Sequence, residues 1–290
     1  MSTTNQDYYV PEDSQWPIVG ALALFTLFFG FALWVNSVQA GPIVSGVGFI
    51  MLAYLFYGWF SNIVEESLSS KYNSKVDTSF RLGMIWFIVS EVFFFIALFG
   101  SLFYVRAIAL PWLDGDGHLG SSALLWPDFT TQWPLLSLPD ASNYVPAKEA
   151  MGAFGIPLIN TVILLTSGVT LTWAHHGLKH DNQKTLIIGL AMTVSLGVIF
   201  FGFQAYEYAH AYHEMDLTLE SGIYGSTFYM LTGFHGFHVT MGTIMLFVIL
   251  LRSLKGHFTA DNHFAFEGVA WYWHFVDVVW LGLYLFVYWM

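Results

Sequence analysis

Seven stretches of about 20 apolar residues constrain the fold of this chain more than any other feature of its sequence. An α-helix rises about 1.5 Å per residue, so each stretch can cross the roughly 30 Å hydrocarbon core of a bilayer. A soluble helical bundle is the alternative, but its helices would need polar faces, which these stretches lack. The sequence therefore predicts an all-α, polytopic membrane protein. Its seven predicted transmembrane helices are 17–37, 43–64, 82–105, 156–174, 185–206, 223–251 and 268–290.

Charged residues make up 10% of the chain, where soluble domains average about 25%. The net charge of -11 argues against binding to nucleic acid, which needs a basic face. The chain has no cysteine, which excludes disulfides, iron–sulfur clusters, cysteine-based zinc sites and thiolate-bridged copper.

The lysines and arginines predict an orientation, because these residues stay on the cytoplasmic side of a membrane. With the N-terminus inside, seven of the 9 cationic residues lie in the inner loops. They are Lys71, Lys75, Arg81, Lys179, Lys184, Arg252 and Lys255. Only Arg106 and Lys148 lie outside, and Met290 is then outside as well. Residues 1–15 lack the cationic segment of a signal peptide, so we expect a cytoplasmic tail.

Two loops suggest how the chain is divided. The polar inner loop 65–81 separates helices 1 and 2, in 16–64, from helices 3 to 7, in 82–290. The long outer loop 106–155 contains several acidic, proline and glycine residues and an apolar stretch near Leu124, which is typical of an ordered cap. We find no internal repeat of the kind that marks many transporters.

One carboxyl lies in the middle of a predicted span. Glu91 is in span 3, and the nearest cations on that helix, Arg81 and Arg106, are too far along its axis to pair with it. A charged carboxylate at the bilayer centre costs about 2.5 to 3.5 kcal/mol or more. Hydrocarbon therefore favours neutral Glu91, unless another span supplies a partner. The residue is either a proton-handling carboxyl or a protonated acid that hydrogen-bonds neighbouring helices.

Other polar side chains in the spans are candidates for an interhelical network. They are Glu207, His210, His235, His238, His274 and Asp277. His235 and His238 could also ligate a metal. However, Gly233 and Gly236 would let another helix approach closely, which favours interhelical hydrogen bonds, so no metal site is predicted. A further pair, at 175 and 176, ends span 4, where imidazoles can remain hydrated.

Four segments carry a family resemblance. They are RLGMIWFIVSEVFFF from Arg81, LTWAHHGL from Leu171, GIYGSTFYMLTGFHGFHVTMGT from Gly222 and HFAFEGVAWYWHFVDVVWLGLY from His263. These motifs closely resemble subunit III of haem-copper cytochrome c oxidases and occur in the same order. The opening YYVPEDSQWPI resembles bacterial (proteobacterial) members, which implies a multi-pass protein of the bacterial inner membrane.

The resemblance implies an architecture and a set of partners. Helices 1 and 2 would splay from helices 3 to 7 and leave a lipid-filled cleft. The chain would dock on subunit I in a complex with subunit II, with cytochrome c as electron donor. It would be a non-redox accessory subunit of an aa3-type, proton-pumping oxidase. Haem and copper would belong to the partner subunits, because the copper pair of subunit II needs cysteines and no histidine set here resembles that of subunit I.

The resemblance also assigns roles to individual residues. Glu91 matches the membrane-buried glutamate of the family, while no residue is implied to be catalytic. Trp59, Glu65, Arg252 and Lys255 match positions that surround bound phospholipid in the family. The alternative for the two cations is that they only enforce topology. A further lipid position, histidine in mitochondrial members, is tyrosine at position 72 here, which puts that contact in doubt.

Three alternatives remain open at this point. Subunit III of a quinol oxidase is usually shorter and lacks the first two spans. A secondary transporter or proton channel could use Glu91, Glu207 and Asp277 as a relay, but it would have broken helices at the midplane. A seven-span receptor would usually have its N-terminus outside, opposite to the charge bias.

Overall fold

A computed structural model of the protein describes residues 9–10, 13–116, 124–139 and 144–289. Among these residues, seven helices are long and apolar enough to cross a membrane, and there is no strand. The helices are α1 (Trp16–Val35), α2 (Gly41–Leu68), α3 (Ser74–Tyr104), α4 (Ile156–Lys179), α5 (Gln183–His213), α6 (Gly222–Leu254) and α7 (Phe264–Leu283). The predicted fold class, an all-α polytopic membrane protein, is confirmed. Met290 and parts of the predicted tail 1–15 and outer loop 106–155 lie outside the described residues.

Several helices run past the apolar stretches that predict them. The N-terminus of α3 is at Ser74, where the side chain of Asn73 accepts hydrogen bonds from the backbone N–H groups of Lys75 and Val76, both at 3.1 Å. Asn182 caps α5 in the same way. Such caps satisfy the free N–H groups of a first turn, so a helix can begin in polar sequence before it reaches the apolar stretch.

Three further turns extend two of the helices. α3 continues through the π-helical turn Val105–Ala109 and the helical turn Leu110–Leu113, and α7 continues through the π-helical turn Tyr284–Trp289. A π-helical turn changes the direction in which the following side chains project, because it contains more residues per turn than an α-helix. The π-helical turn at the end of α7 bears on the site described below.

The packing divides the chain into one compact unit that ends at Leu82 and a second that begins at Gly83. In the first unit, α1 and α2 form a hairpin whose buried residues repeat every seven positions. They are Trp16, Ala23 and Gly30 in α1, and Gly41, Gly48 and Leu55 in α2. A Cβ atom on Gly30 would collide with the backbone of Ser45, and one on Gly48 with the backbone of Leu27. Small residues at this spacing let the two backbones touch, which is how helices associate within a bilayer.

In the second unit, buried indoles are hydrogen-bonded between helices. The Nε1 atoms of Trp273 and Trp280 in α7 donate to the hydroxyls of Ser167 and Thr161 in α4, each at 2.9 Å. Both indoles are fully buried. Hydroxyl pairs also join α4 to α5 (Thr170 and Thr193) and α5 to α6 (Tyr208 and Thr232). Lipid is as apolar as the helices, so packing and hydrogen bonds hold such a bundle together.

The part of α3 that belongs to the second unit contacts it through large aromatic side chains. Ring pairs with centroids 5.0 to 6.0 Å apart join Phe94 to Phe234, Phe95 to Phe275 and Phe99 to Phe286. Phe95, one turn from Glu91 on the same helix, is buried by these contacts.

The described parts of the outer loop pack together near the end of α3. Leu110, Phe129 and Leu135 form a small buried cluster. The hydroxyl of Thr131 donates to the carbonyl of Leu110 at 2.9 Å. Leu124 and Leu125 are exposed, whereas Trp126 of the same apolar stretch packs against this cluster.

Candidate functional site

Glu91 has a histidine partner on another helix. Its Oε2 atom lies 3.0 Å from Nε2 of His238 in α6. The other ring nitrogen of His238, Nδ1, lies 2.7 Å from the carbonyl oxygen of Phe234. A span other than α3 therefore supplies the polar partner that a carboxyl inside a bilayer needs.

These contacts indicate how many protons Glu91 and His238 share. A carbonyl oxygen only accepts hydrogen bonds, so Nδ1 of His238 must donate to Phe234. In a neutral ring, Nε2 then offers a lone pair to Glu91. The hydrogen bond between Nε2 and Oε2 needs one proton. Either a protonated Glu91 donates it to a neutral His238, or a cationic His238 donates it to an ionised Glu91. Both arrangements have no net charge, and the desolvation of two charges in a buried ion pair favours the neutral one.

The His238 ring sits among aromatic rings. Phe95 contacts it edge-on at a centroid distance of 5.1 Å, and Phe94 and Tyr272 stack at 6.2 Å. The His238 side chain is 8% exposed, while that of Glu91 is 23% exposed. The imidazole is thus enclosed, and the carboxyl can be reached from the apolar surface of α3.

An apolar carbodiimide should test this arrangement, because it reacts with protonated carboxyls that it reaches through lipid. We expect it to modify Glu91, whose side chain is partly exposed and neutral in the favoured arrangement. Glu207 is the internal control, since it is only 1% exposed and should stay unmodified. Peptide mass spectrometry of the treated protein measures both sites. An unmodified Glu91 would contradict the neutral carboxyl.

His235 and His238 point to different partners. Nε2 of His235 lies 3.2 Å from the carbonyl oxygen of Val276 in α7, and the residue is buried. The alternative of a metal site shared by the two histidines is therefore not supported. The expected close helix approach at Gly236 is also absent. In the described part of the chain, no heavy atom comes within 4 Å of a Cβ built there.

Glu207 lies inside the second unit, in contact with the end of α7. The hydroxyl of Tyr288, in the π-helical turn, donates to its Oε1 atom at 2.7 Å. His210, predicted to join the same polar network, is instead exposed. Three residues turn an α-helix by about 300°, so His210 is rotated about 60° away from the buried side of Glu207.

The predicted pair at His274 and Asp277 lies between α7 and α4. Nδ1 of His274 is 3.3 Å from Oδ2 of Asp277. Asp277 is buried against Gly168, where a Cβ would lie 2.6 Å from the same oxygen. His274 is half-exposed, and its Nε2 is 3.5 Å from the hydroxyl of Thr172. The predicted network is therefore several separate pairs and not one connected set.

Of the residues predicted to bind lipid, Glu65, Arg252 and Lys255 lie near helix ends, and Trp59 lies nine residues before the end of α2. In the first unit, Trp59 stacks on Phe60 in α2, and both Trp59 and Glu65 are exposed. In the second unit, the guanidinium of Arg252 lies 4.6 Å from the ring centroid of Phe258, and Lys255 is exposed.

The residue next to Glu65 makes contacts that sequence reasoning missed. The carboxylate of Glu66 accepts hydrogen bonds from the hydroxyls of Tyr72, at 2.7 Å, and Tyr9, at 3.1 Å. Burial, and next the bonded Glu66 carboxylate, raise the pKa of the Tyr72 hydroxyl. Tyr72 therefore remains protonated and serves as a donor to Glu66.

A second missed group joins the end of α4 to the start of α7. His175, expected from sequence to be hydrated, faces His263 and Glu267. The sequence offers no signal for this group, because its members come together only when the two helices pack.

Comparison with known proteins identifies the family. A sequence profile described as Cytochrome c oxidase subunit III matches residues 6–116 and 123–290. The chain belongs to the cytochrome c oxidase subunit III family. Among similar proteins, cytochrome c oxidase subunit 3 of Equus caballus is 40% identical over 290 residues, which cover 100% of this chain and 99% of the relative. Proteins of the same name from Formosania lacustris and Danio rerio are each 40% identical over 283 residues, 97% of this chain and 96% of each relative.

The family resemblance predicted from the motifs is thus confirmed, and the four quoted segments lie within the matched residues. This subunit III is an integral membrane component of cytochrome c oxidase, a respiratory oxidoreductase complex that includes other oxidase subunits.

Proposed function

We propose that this subunit III is a non-redox accessory subunit of an aa3-type oxidase that reduces oxygen to water and pumps protons. It stabilises subunit I, supports proton uptake and binds structural phospholipid. Subunits I and II hold the haem and copper, and cytochrome c donates electrons to the complex. The protein lies in a bacterial inner membrane with its N-terminus in the cytoplasm, which the distribution of lysine and arginine supports.

The observation that carries the accessory role is how this chain surrounds the two histidines of α6. An axial haem ligand or a copper ligand must direct a free lone pair to the metal. Both nitrogens of His238 are hydrogen-bonded, so its ring has no free lone pair. Nε2 of His235 donates to a carbonyl, and the rest of this buried ring packs against Phe200 and Trp280, which leaves no room for a haem beside it.

The separate pairs also favour proton support over a relay through this chain. Glu91 pairs with His238, Glu207 with Tyr288, and Asp277 with His274. A transporter or channel would need these carboxyls to share one hydrated path. Each pair instead stays within its own helix contact.

The positive charges near a helix end and the exposed indole of Trp59 support the lipid-binding role. Arg252 and Lys255 supply positive charge, and Trp59 supplies an interfacial ring of the kind that lies among headgroups. Retention of phospholipid after detergent purification, and its loss in an Arg252→Ala variant, would separate lipid binding from a purely topological role.

The Glu91→Gln variant tests the role of the buried carboxyl. The amide of glutamine can donate to Nε2 of His238 as a protonated carboxyl does, so the variant reproduces the neutral pair. We expect the initial rate of oxygen reduction by the purified complex to stay within about twofold of the parent, because a pair that only joins helices is preserved. Oxygen consumption with reduced cytochrome c measures this rate.

Complete loss of turnover in Glu91→Gln would contradict the accessory role and make Glu91 an obligatory proton carrier. Removal of the whole chain is the complementary test. We expect the depleted complex to keep its haem and copper and to reduce oxygen at first, but to inactivate after fewer turnovers. Loss of haem or copper together with the chain would overturn the proposal.

A further inference from the structure

We propose that His175, His263 and Glu267 form a binding site for a divalent transition-metal ion, with Zn²⁺ as the ion that these donors favour. His175 is near the end of α4, and the other two residues are at the start of α7. One ligand atom from each residue lies within 4.8 Å of the other two. Two imidazole nitrogens and one carboxylate oxygen, with a fourth position open, are a donor set typical of zinc.

The distances fit an ion better than they fit hydrogen bonds. Oε1 of Glu267 lies 3.6 Å from Nε2 of His175 and 3.5 Å from Nε2 of His263. Hydrogen bonds of this kind are usually about 2.7 to 3.2 Å long. Around a tetrahedral zinc ion with bonds of about 2.0 to 2.1 Å, neighbouring ligand atoms stand about 3.3 to 3.5 Å apart. The two distances to Glu267 are therefore close to the spacing of ligands around a shared centre, and the two histidine nitrogens lie within 4.8 Å of each other.

A backbone contact orients the lone pair of His263. Its Nδ1 atom lies 3.0 Å from the carbonyl oxygen of Thr259, so Nδ1 donates and a neutral ring presents the Nε2 lone pair to Glu267. A lone pair that faces a carboxylate oxygen is repelled unless a proton or a metal ion lies between them. Metal-binding histidines are commonly held by such a bond from their second nitrogen.

Burial strengthens the case for a cation. The Nε2 atoms of His175 and His263 are buried and have no hydrogen-bond partner among the described residues. One ion would satisfy both. The side chains of His175, Glu267 and His263 are 22%, 13% and 9% exposed, so the group is enclosed but open enough at the bundle end for an ion to enter. A bound ion would tie the end of α4 to the start of α7.

Zinc binding to the purified oxidase complex tests the site. The complex is titrated with zinc chloride, and bound zinc is counted by mass spectrometry after free metal is removed. We expect the parent complex to bind one more zinc ion than the His175→Gln and His263→Gln complexes do. If the variants still bind this ion, we expect their affinity for it to be lower by more than about tenfold. X-ray absorption spectra at the zinc edge, recorded from the parent complex with one equivalent of added zinc, should show two imidazole ligands.

His176→Gln is the matched control. His176 is next to His175 but exposed, and its ring stacks on that of His180 at 4.1 Å, so these two rings form the competing surface site. Loss of zinc in His176→Gln alone, or equal binding by the parent and His175→Gln, would overturn the proposal. If a histidine variant fails to assemble into the complex, zinc binding by Glu267→Gln and the spectrum of the parent test the site instead. A parent spectrum without imidazole ligands would also overturn the proposal. Zinc content is measured without turnover, so either result leaves the proposed accessory role intact.

Discussion

A Gly48→Leu variant is expected to separate α1 from α2. A Cβ at this position would collide with the backbone of Leu27, and the backbone of a helix cannot move aside as a flexible side chain can. Extra methylene groups in a well-packed core cost about 1 to 3 kcal/mol even where side chains can adjust. We therefore expect the hairpin to open and the first unit to lose its packing.

The absence of native cysteine gives this prediction a clean measurement. Cysteines introduced as Gly20→Cys and Leu55→Cys report on the hairpin, because a Cβ at Gly20 lies 3.3 Å from the Leu55 side chain. We expect efficient disulfide formation in the parent and more than about a tenfold reduction with Gly48→Leu. Gly46→Leu is the control, since no heavy atom lies within 4 Å of a Cβ there in the described structure. Equal cross-linking in both variants would show that the backbones do not touch at Gly48.

The second large effect is expected when the partner of Glu91 is removed. His238→Leu leaves the carboxyl in an apolar, aromatic environment without its acceptor, which should cost about 1 to 3 kcal/mol in the free energy of unfolding. Adding Glu91→Leu to His238→Leu should restore part of the lost free energy of unfolding, because it removes the carboxyl that was left without a partner. Unfolding in detergent of the parent, the two single variants and the double variant gives the coupling energy.

We expect a coupling of about 1 to 2 kcal/mol, near the upper end of values measured between membrane helices. His210→Leu serves as the control, because this imidazole is exposed at the end of α5 and should contribute little. Additive effects of Glu91→Leu and His238→Leu would mean that the pair does not form.

The spans are predictable from sequence because a bilayer requires long apolar stretches, whatever their tertiary contacts. The helix ends are less predictable by this criterion. α3 begins at Ser74 and α5 begins at Gln183, in polar sequence that hydropathy assigns to loops. The cap residues Asn73 and Asn182 are the signals that would have extended the prediction.

Individual site residues are harder to place than spans. Glu91 stands out because a charge in an apolar stretch is rare, yet nothing in its own helix identifies His238 as its partner. His210 shows the limit of spacing rules, since a three-residue step drifts around the helix and leaves it exposed. The contact of His175 with His263 depends on the packing of distant segments, which one sequence without an alignment does not reveal.

The shared proton of Glu91 and His238 has an electrical consequence. Whichever residue holds it, the proton moves by no more than the 3.0 Å between Nε2 and Oε2. That is about a tenth of a hydrocarbon core of roughly 30 Å, and a full crossing at 100 mV is worth about 2.3 kcal/mol per charge. The membrane potential can therefore do at most about 0.2 kcal/mol of work on this proton. A potential of this size therefore has almost no effect on which of the two residues holds the proton between α3 and α6.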